Sequence, residues 1–434
     1  MSPNIYRFFG VLSWLLVTAV SSAPPLPYQS SEKHLGVATC ASSVCHGSVQ
    51  ANKNYKVALN EYVTWSQRDR HAKAYETLLS KDSKAIAAKL GLRNAHTAKI
   101  CLDCHADYIP KEKRGEGFQL TDGVGCEACH GGSENWIDTH ANKETSHLEN
   151  VKRGMYPTAN LVDRAALCLS CHYGNEDKFA THQIMGAGHP RLSFELDTFQ
   201  ALQPPHFQID EDYRKRKPIA SHAKTWAFGQ IAAAQSQLRM LQGPLITQPL
   251  VFPELALFDC HSCHNNSMHK LDWHRRMNSA RIKPGNVPIA DGHLRMVIVI
   301  AHQVDKQIAR KLIELSEALQ IASGENRSRI VAVSHQLASI VDQLSHDLAA
   351  IELGNSEKEQ ILSNLINMGI EGAFRDYIGA EQAVMAIELI IIDINKNEQS
   401  RRQIDDLYKQ VENDETYQPA RFVDTLQKLK TALN

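Results

Sequence analysis

From His293 to Ala322 the apolar residues Val297, Ala301, Val304, Ile308, Leu312, Leu315 and Leu319 recur at steps of three and four, one stripe of an amphipathic helix. Ser323-Gly324 ends it. A second stripe, Ile330, Val333, Leu337, Ile340, Val341, Leu344, Leu348 and Ile351, closes at Gly354. Ser356 and Glu359 have the spacing of a capping box that opens a third helix, and further helical stretches follow at 379–395, 398–411 and 419–433. Residues 290–434 therefore read as an antiparallel helical bundle, set off by the linker Pro284-Gly285-Asn286-Val287-Pro288. Upstream the pattern changes. One helix is legible around 61–80 and another around 225–242, ended by Gly243 and Pro244. The rest is polar and glycine-rich, as at Gly123-Val124-Gly125 and Gly131-Gly132, where little regular backbone is expected.

All ten cysteines lie in that irregular region, in five pairs, and a histidine follows every second one. The units are Cys40/Cys45/His46, Cys101/Cys104/His105, Cys126/Cys129/His130, Cys168/Cys171/His172 and Cys260/Cys263/His264. Four read C-x-x-C-H, the attachment sequence of c-type haem, in which two thiols form thioethers and the histidine supplies the proximal iron ligand. Five disulfides, or zinc sites, would leave the five histidines unexplained. The first unit has four residues between its cysteines, so its loop must bulge, and a disulfide or a single thioether is the alternative there. The expected cofactor is haem c, five per chain and covalently attached. The expected fold class is mainly α: an irregular loop-and-helix multihaem cytochrome c domain at 32–282, then the haem-free bundle. Haem supplies much of the apolar core in the first part.

Twenty-one histidines are present, so sixteen remain beyond the five proximal ones. A second imidazole on the far face of an iron makes a closed electron-transfer centre. His302, His335 and His346 lie opposite the apolar stripes of their own helices and are set aside. An internal echo, Arg70-His71-Ala72-Lys73-Ala74-Tyr75 and Ser221-His222-Ala223-Lys224-Thr225-Trp226, makes His71 and His222 candidates, with coincidence of a short motif as the competing reading for His222. In Thr181-His182-Gln183-Ile184-Met185-Gly186-Ala187-Gly188-His189-Pro190 at least one of His182 and His189 is expected to ligate. His140 stands ten residues beyond His130, within reach of a neighbouring haem.

Lys+Arg number 47 against 48 Asp+Glu, so nothing global points to nucleic acid. The basic run Arg214-Lys215-Arg216-Lys217 reads as a solvated loop, with docking of an acidic redox partner as the sharper alternative. Arg7, the apolar run from Phe8 to Val20 and the small residues Ser21, Ser22 and Ala23 read as an export signal over residues 1–22, an uncleaved amino-terminal anchor being the alternative. Export agrees with haem attachment, which takes place outside the bacterial cytoplasmic membrane.

The residues resemble the tetrahaem cytochrome c-554 family of bacterial electron carriers over about 36–175. The likeness runs through Arg70-His71-Ala72-Lys73-Ala74, Cys101-Leu102-Asp103-Cys104-His105, Leu120 to Gly131 with its Gly-Val-Gly-Cys-Glu-Ala-Cys-His core, His140, and Cys168-Leu169-Ser170-Cys171-His172. The resemblance implies closely stacked haems, with His140 as distal ligand of the first and His71 of the third. It also implies that the haem on His105 is five-coordinate. The widened first motif, the fifth motif and the bundle depart from the family. The leading expectation is an exported pentahaem relay between a dehydrogenase or quinol oxidoreductase and an acceptor such as another cytochrome. Its rival is a reductase or oxidase of a small nitrogen or sulfur compound at the open haem on His105, with Asp107, Tyr108, Lys111 and Lys113 as proton donors. A third reading makes the bundle an assembly module for a membrane complex or homodimer.

Overall fold

The computed structural model describes residues 23–51, 57–217, 219–249, 252–264, 286–374 and 376–433. The export signal and the Pro284-Gly285 part of the linker lie outside these residues. Helix dominates and no strand occurs among the described residues, where the extended pairings are two isolated bridges, His34 with Arg114 and Phe258 with Ile289.

In the irregular half the helices are short. The stretch around 61–80 does not form one helix: α1, Glu61–Arg68, stops at Asp69, whose backbone is extended (φ −87°, ψ 128°). The Asp69 carboxylate accepts from the His71 amide at 3.0 Å and opens a 3-10 turn, Arg70–Lys73. A short polar side chain that bonds its own backbone outcompetes helix continuation. Further on, α2, Leu161–His172, is capped by Asn160, and α3, His222–Gln242, by Ser221.

Downstream of 290 follow α4 Gly292–Val304, α5 Lys306–Ser323, α6 Arg327–Ala349, α7 Asn355–Ile370, α8 Tyr377–Asp393, α9 Asn397–Gln410 and α10 Pro419–Leu433. Short connections make neighbours antiparallel. Two details differ from the periodicity. Asp305 splits the first stripe into α4 and α5, its carboxylate accepting from Gln307 N (2.6 Å) and Ile308 N (3.2 Å). The capping box at Ser356 does not form: the N-cap of α7 is Gly354, two residues earlier, and Ser356 instead accepts from Gln360 within the helix.

The apolar core of the bundle extends upstream of 290. Helix α3 is its central post, with Ala223, Trp226, Ala227, Ile231, Ala233, Ala234, Leu238 and Leu241 buried around its whole circumference. It packs against α2, α4, α6 and α8, and one continuous apolar core runs from Ala165 on α2 to Leu429 on α10. A helix buried on all sides carries no single apolar stripe. The first half holds only a small second cluster, Leu78, Ala87, Ala95, Leu102 and Ala106. Polar groups fix how α3, α4 and α8 meet: Gln230 donates to Gln382 (2.8 Å), His293 Nδ1 donates to Gln230 Oε1 (2.8 Å), and Gln382 donates to the Phe194 carbonyl (3.3 Å).

Two outcomes are expected. A fragment starting at 290 lacks α3 and should unfold over a broad denaturant range by circular dichroism, whereas one starting at 220 should unfold cooperatively; a sharp transition in the shorter fragment would contradict the central place of α3. Burial lowers His293 to about 4. Because the unfolded imidazole protonates first, near 6.5, stability is whole above that pH and falls by up to about 3 kcal/mol as pH drops through 4. Denaturation midpoints against pH should show this loss, and His293→Asn should flatten it.

Candidate haem centres

Three attachment motifs sit on helix ends. Lys99–His105, Cys126–His130 and α2 each finish on the motif histidine, so the two cysteines three residues apart share a face and the imidazole emerges at the last turn. The first motif reaches the same result by a turn: Cys45 N donates to Ser42 O (2.9 Å) and His46 N to Cys40 O (3.2 Å), which takes up the extra residues. The fifth also uses a turn, the 3-10 segment Cys260–Ser262, after which Cys263 N (3.1 Å) and His264 N (2.8 Å) both donate to the Cys260 carbonyl. No two of the ten cysteines are joined as a disulfide. Cysteines of different motifs adjoin, the Cys40 side chain lying within hydrogen-bonding reach of Cys126 and that of Cys104 within reach of Cys171, so the first unit neighbours the third and the second neighbours the fourth.

Each proximal imidazole faces one other imidazole. Ring centres are 6.2 Å apart for His46 and His140, 6.3 Å for His105 and His189, and 6.2 Å for His130 and His206. They are 5.9 Å apart for His172 and His71, and 6.1 Å for His264 and His182. No partner is used twice. Two imidazoles sharing one iron at about 2.0 Å from each nitrogen leave their ring centres roughly 6 Å apart, so the donor set fits haem iron at all five places. Haem bound there would supply a one-electron couple with both axial positions filled.

Local contacts orient these rings. His46 Nδ1 bonds Glu61 (2.9 Å) and His71 Nδ1 bonds Asp69 (2.8 Å), while His105, His140 and His189 donate to the carbonyls of Ala74 (3.2 Å), Ile137 (2.6 Å) and Pro190 (2.7 Å). With Nδ1 engaged, Nε2 is left for metal. Burial lowers His130 to about 4 and also lowers His105, His172 and His206, favouring the neutral imidazole that iron binds.

Backbone approaches explain the glycines. Gly123 has φ +71°, and a Cβ there would lie 2.7 Å from the His71 carbonyl. The flanking Val124 N donates to that same carbonyl (3.0 Å), so the third motif is held against the turn that carries His71. Glu127, inside the third motif and 2% exposed, accepts from the amides of Leu35 (2.8 Å), Gly36 (2.7 Å) and Ser133 (2.8 Å), tying the amino-terminal stretch to it.

Cys45 and Cys263, each the second cysteine of its motif, are exposed. Both are carried on surface turns, whereas the cysteines on helix ends are at least partly buried, so a haem joined to Cys45 or Cys263 would turn that edge toward solvent. His222 faces no proximal imidazole; it is 55% exposed and its Nδ1 bonds Asp197 at 2.9 Å, where it starts α3. In its echo the lysine is the structural residue, Lys224 reaching the Ile351 carbonyl and Glu352. His71 stands opposite His172, not His130. His189 stands on the far side of His105, and His182 faces His264. Asp107 is bonded to the buried His34 (2.7 Å), and Lys113 to the Ser30 carbonyl. The basic run lies on a short helix, Glu211–Arg216, with Lys215 paired to Glu211 and Arg216 to Asp212. His206 was missed; the diproline Pro204-Pro205 that fixes the chain before it was the available signal.

Such a donor set, on short helices and loops, defines a haem c-binding electron-transfer protein. Residues 39–131, about a fifth of the chain, match the family described as cytochrome c554 and c-prime. No curated protein and no solved structure matches the chain. No described helix is long and apolar enough to cross a membrane.

Replacement of the two disputed histidines separates these assignments. His206→Ala should convert one haem from low to high spin in the optical spectrum, and His222→Ala should leave the spectrum unchanged; the reverse pattern would contradict the pairing.

Proposed function

We propose that this chain is an exported cytochrome that carries five covalent haems c, each iron closed by two histidines, and relays electrons between redox proteins. The observation that carries this reading is the set of five imidazole pairs, one for each proximal histidine, with ring centres 5.9 to 6.3 Å apart. Iron with both axial positions filled passes electrons through its macrocycle edge and has no place for a substrate atom. Reduction of a small nitrogen or sulfur compound required an open face at the haem on His105, and His189 occupies it. The adjoining cysteines of the first and third motifs, and of the second and fourth, support short transfers between neighbouring haems. His182 and His189, on one ten-residue stretch, extend the chain of centres from the haem on His105 to the fifth. A dehydrogenase or quinol oxidoreductase on one side and an acceptor cytochrome on the other are the partners that suit such a relay.

Intact mass of the holoprotein should exceed the processed polypeptide by five haems, and cyanide or nitric oxide should leave the spectrum of every haem unchanged. A mass excess of four with Cys40 and Cys45 joined as a disulfide would remove the first centre. Stoichiometric cyanide binding at one haem would restore the enzymatic alternative.

A further inference from the structure

Helix α1 carries a carboxylate at each end, and each is bonded to the Nδ1 of a different haem-facing imidazole. Glu61 is its first residue and bonds His46 at 2.9 Å; Asp69 follows its last residue and bonds His71 at 2.8 Å. Eight helical residues hold the two about 12 Å apart, so they act on separate centres. Neither is a loose surface group. The side chains are 14% and 6% exposed, Glu61 also accepts from the Leu59 amide (3.2 Å), and Asp69 also accepts from the His71 amide (3.0 Å) and from Gln203 Nε2 (3.0 Å). Trp65, midway along α1, donates its Nε1 to the Val124 carbonyl (3.1 Å) and fixes the helix against the third motif. By contrast, His105, His140 and His189 rest on neutral backbone carbonyls.

A carboxylate that accepts the Nδ1 proton makes an imidazole a stronger donor, and it adds a buried negative charge; both favour Fe(III) over Fe(II). We propose that Glu61 and Asp69 are positioning residues that set potential, holding the haem on His46 and the haem on His172 below the values they would have with neutral partners. Two separated centres of the relay are thereby made its reducing steps by one rigid element. Gln203 modulates the second of them: its amide withdraws Asp69 electron density from His71, and it lies three residues before His206, the imidazole facing His130.

The proposal rests on the bis-histidine reading, and spectropotentiometry of the full holoprotein tests it. Glu61→Gln should raise the midpoint of one haem and Asp69→Asn that of a different haem, each by about a tenfold change in the Fe(III)/Fe(II) ratio, roughly 59 mV for one electron. Gln203→Ala, which keeps the carboxylate and frees it for His71, should lower the midpoint that Asp69→Asn raises. A role confined to holding the imidazole in place would not give opposite signs at one centre. Unmoved midpoints in Glu61→Gln and Asp69→Asn, with low-spin spectra intact, would overturn this proposal and leave the coordination reading standing. A high-spin haem at His46 or His172 in the parent protein would overturn both. If loss of the Asp69 carboxylate costs a haem, Gln203→Ala decides for that centre: a downward shift supports the assignment and no shift refutes it.

Discussion

The constraint on which the rest of this structure depends is that an iron tied to the chain on one side needs a second imidazole delivered to its opposite side. The proximal half is local chemistry, two thiols and a histidine within a few residues. Delivery of the other half is a tertiary problem, because His140, His189, His206, His71 and His182 come from segments distant from the motifs they face. This explains why the first part of the chain is turns and short helices. Long helices would present imidazoles in register with their own axis, whereas a 3-10 turn at His71, a diproline before His206 and close backbone contact at Gly123 place single rings where they are needed.

The helical domain acts on this problem too. His172 ends α2, which is part of the continuous apolar core, and Phe194 stacks on its ring with centres 4.5 Å apart. The Phe194 carbonyl is held by Gln382 of α8, and Arg191, two residues beyond His189, pairs with Glu381 of the same helix at 3.0 Å. That pair is 22% and 15% exposed, so its attraction is less screened than that of a surface pair. The helical domain thus braces the segments that carry His172 and His189.

What could be read from sequence follows the range of each interaction. The five motifs were legible because thioether formation demands fixed local spacing, and the bundle helices because a half-buried helix writes a stripe. The exposure of Cys45 and Cys263 was not, because motif spacing says nothing of whether a helix end or a surface turn carries it. Helix breaks at Asp69 and Asp305 were also hidden, since one capping carboxylate overrides an otherwise unbroken period. Helix α3 was legible as a helix, but burial on all sides leaves no stripe to show which elements it packs against. Distal pairing was least legible: His222 shares a motif with His71 yet sits at an exposed helix start, and His206 carries no motif at all. The matched family segment ends at residue 131, before the fourth motif, and His71 faces that motif's His172.

The spin state of the iron reports directly on whether two imidazoles hold each haem. Quantitative electron paramagnetic resonance of the oxidised holoprotein, integrated against its haem content, should account for every haem as low-spin ferric iron, with no high-spin signal. A high-spin signal integrating to one haem per chain would contradict the account, because an iron that the structure flanks with two histidines would then have one of them unbound.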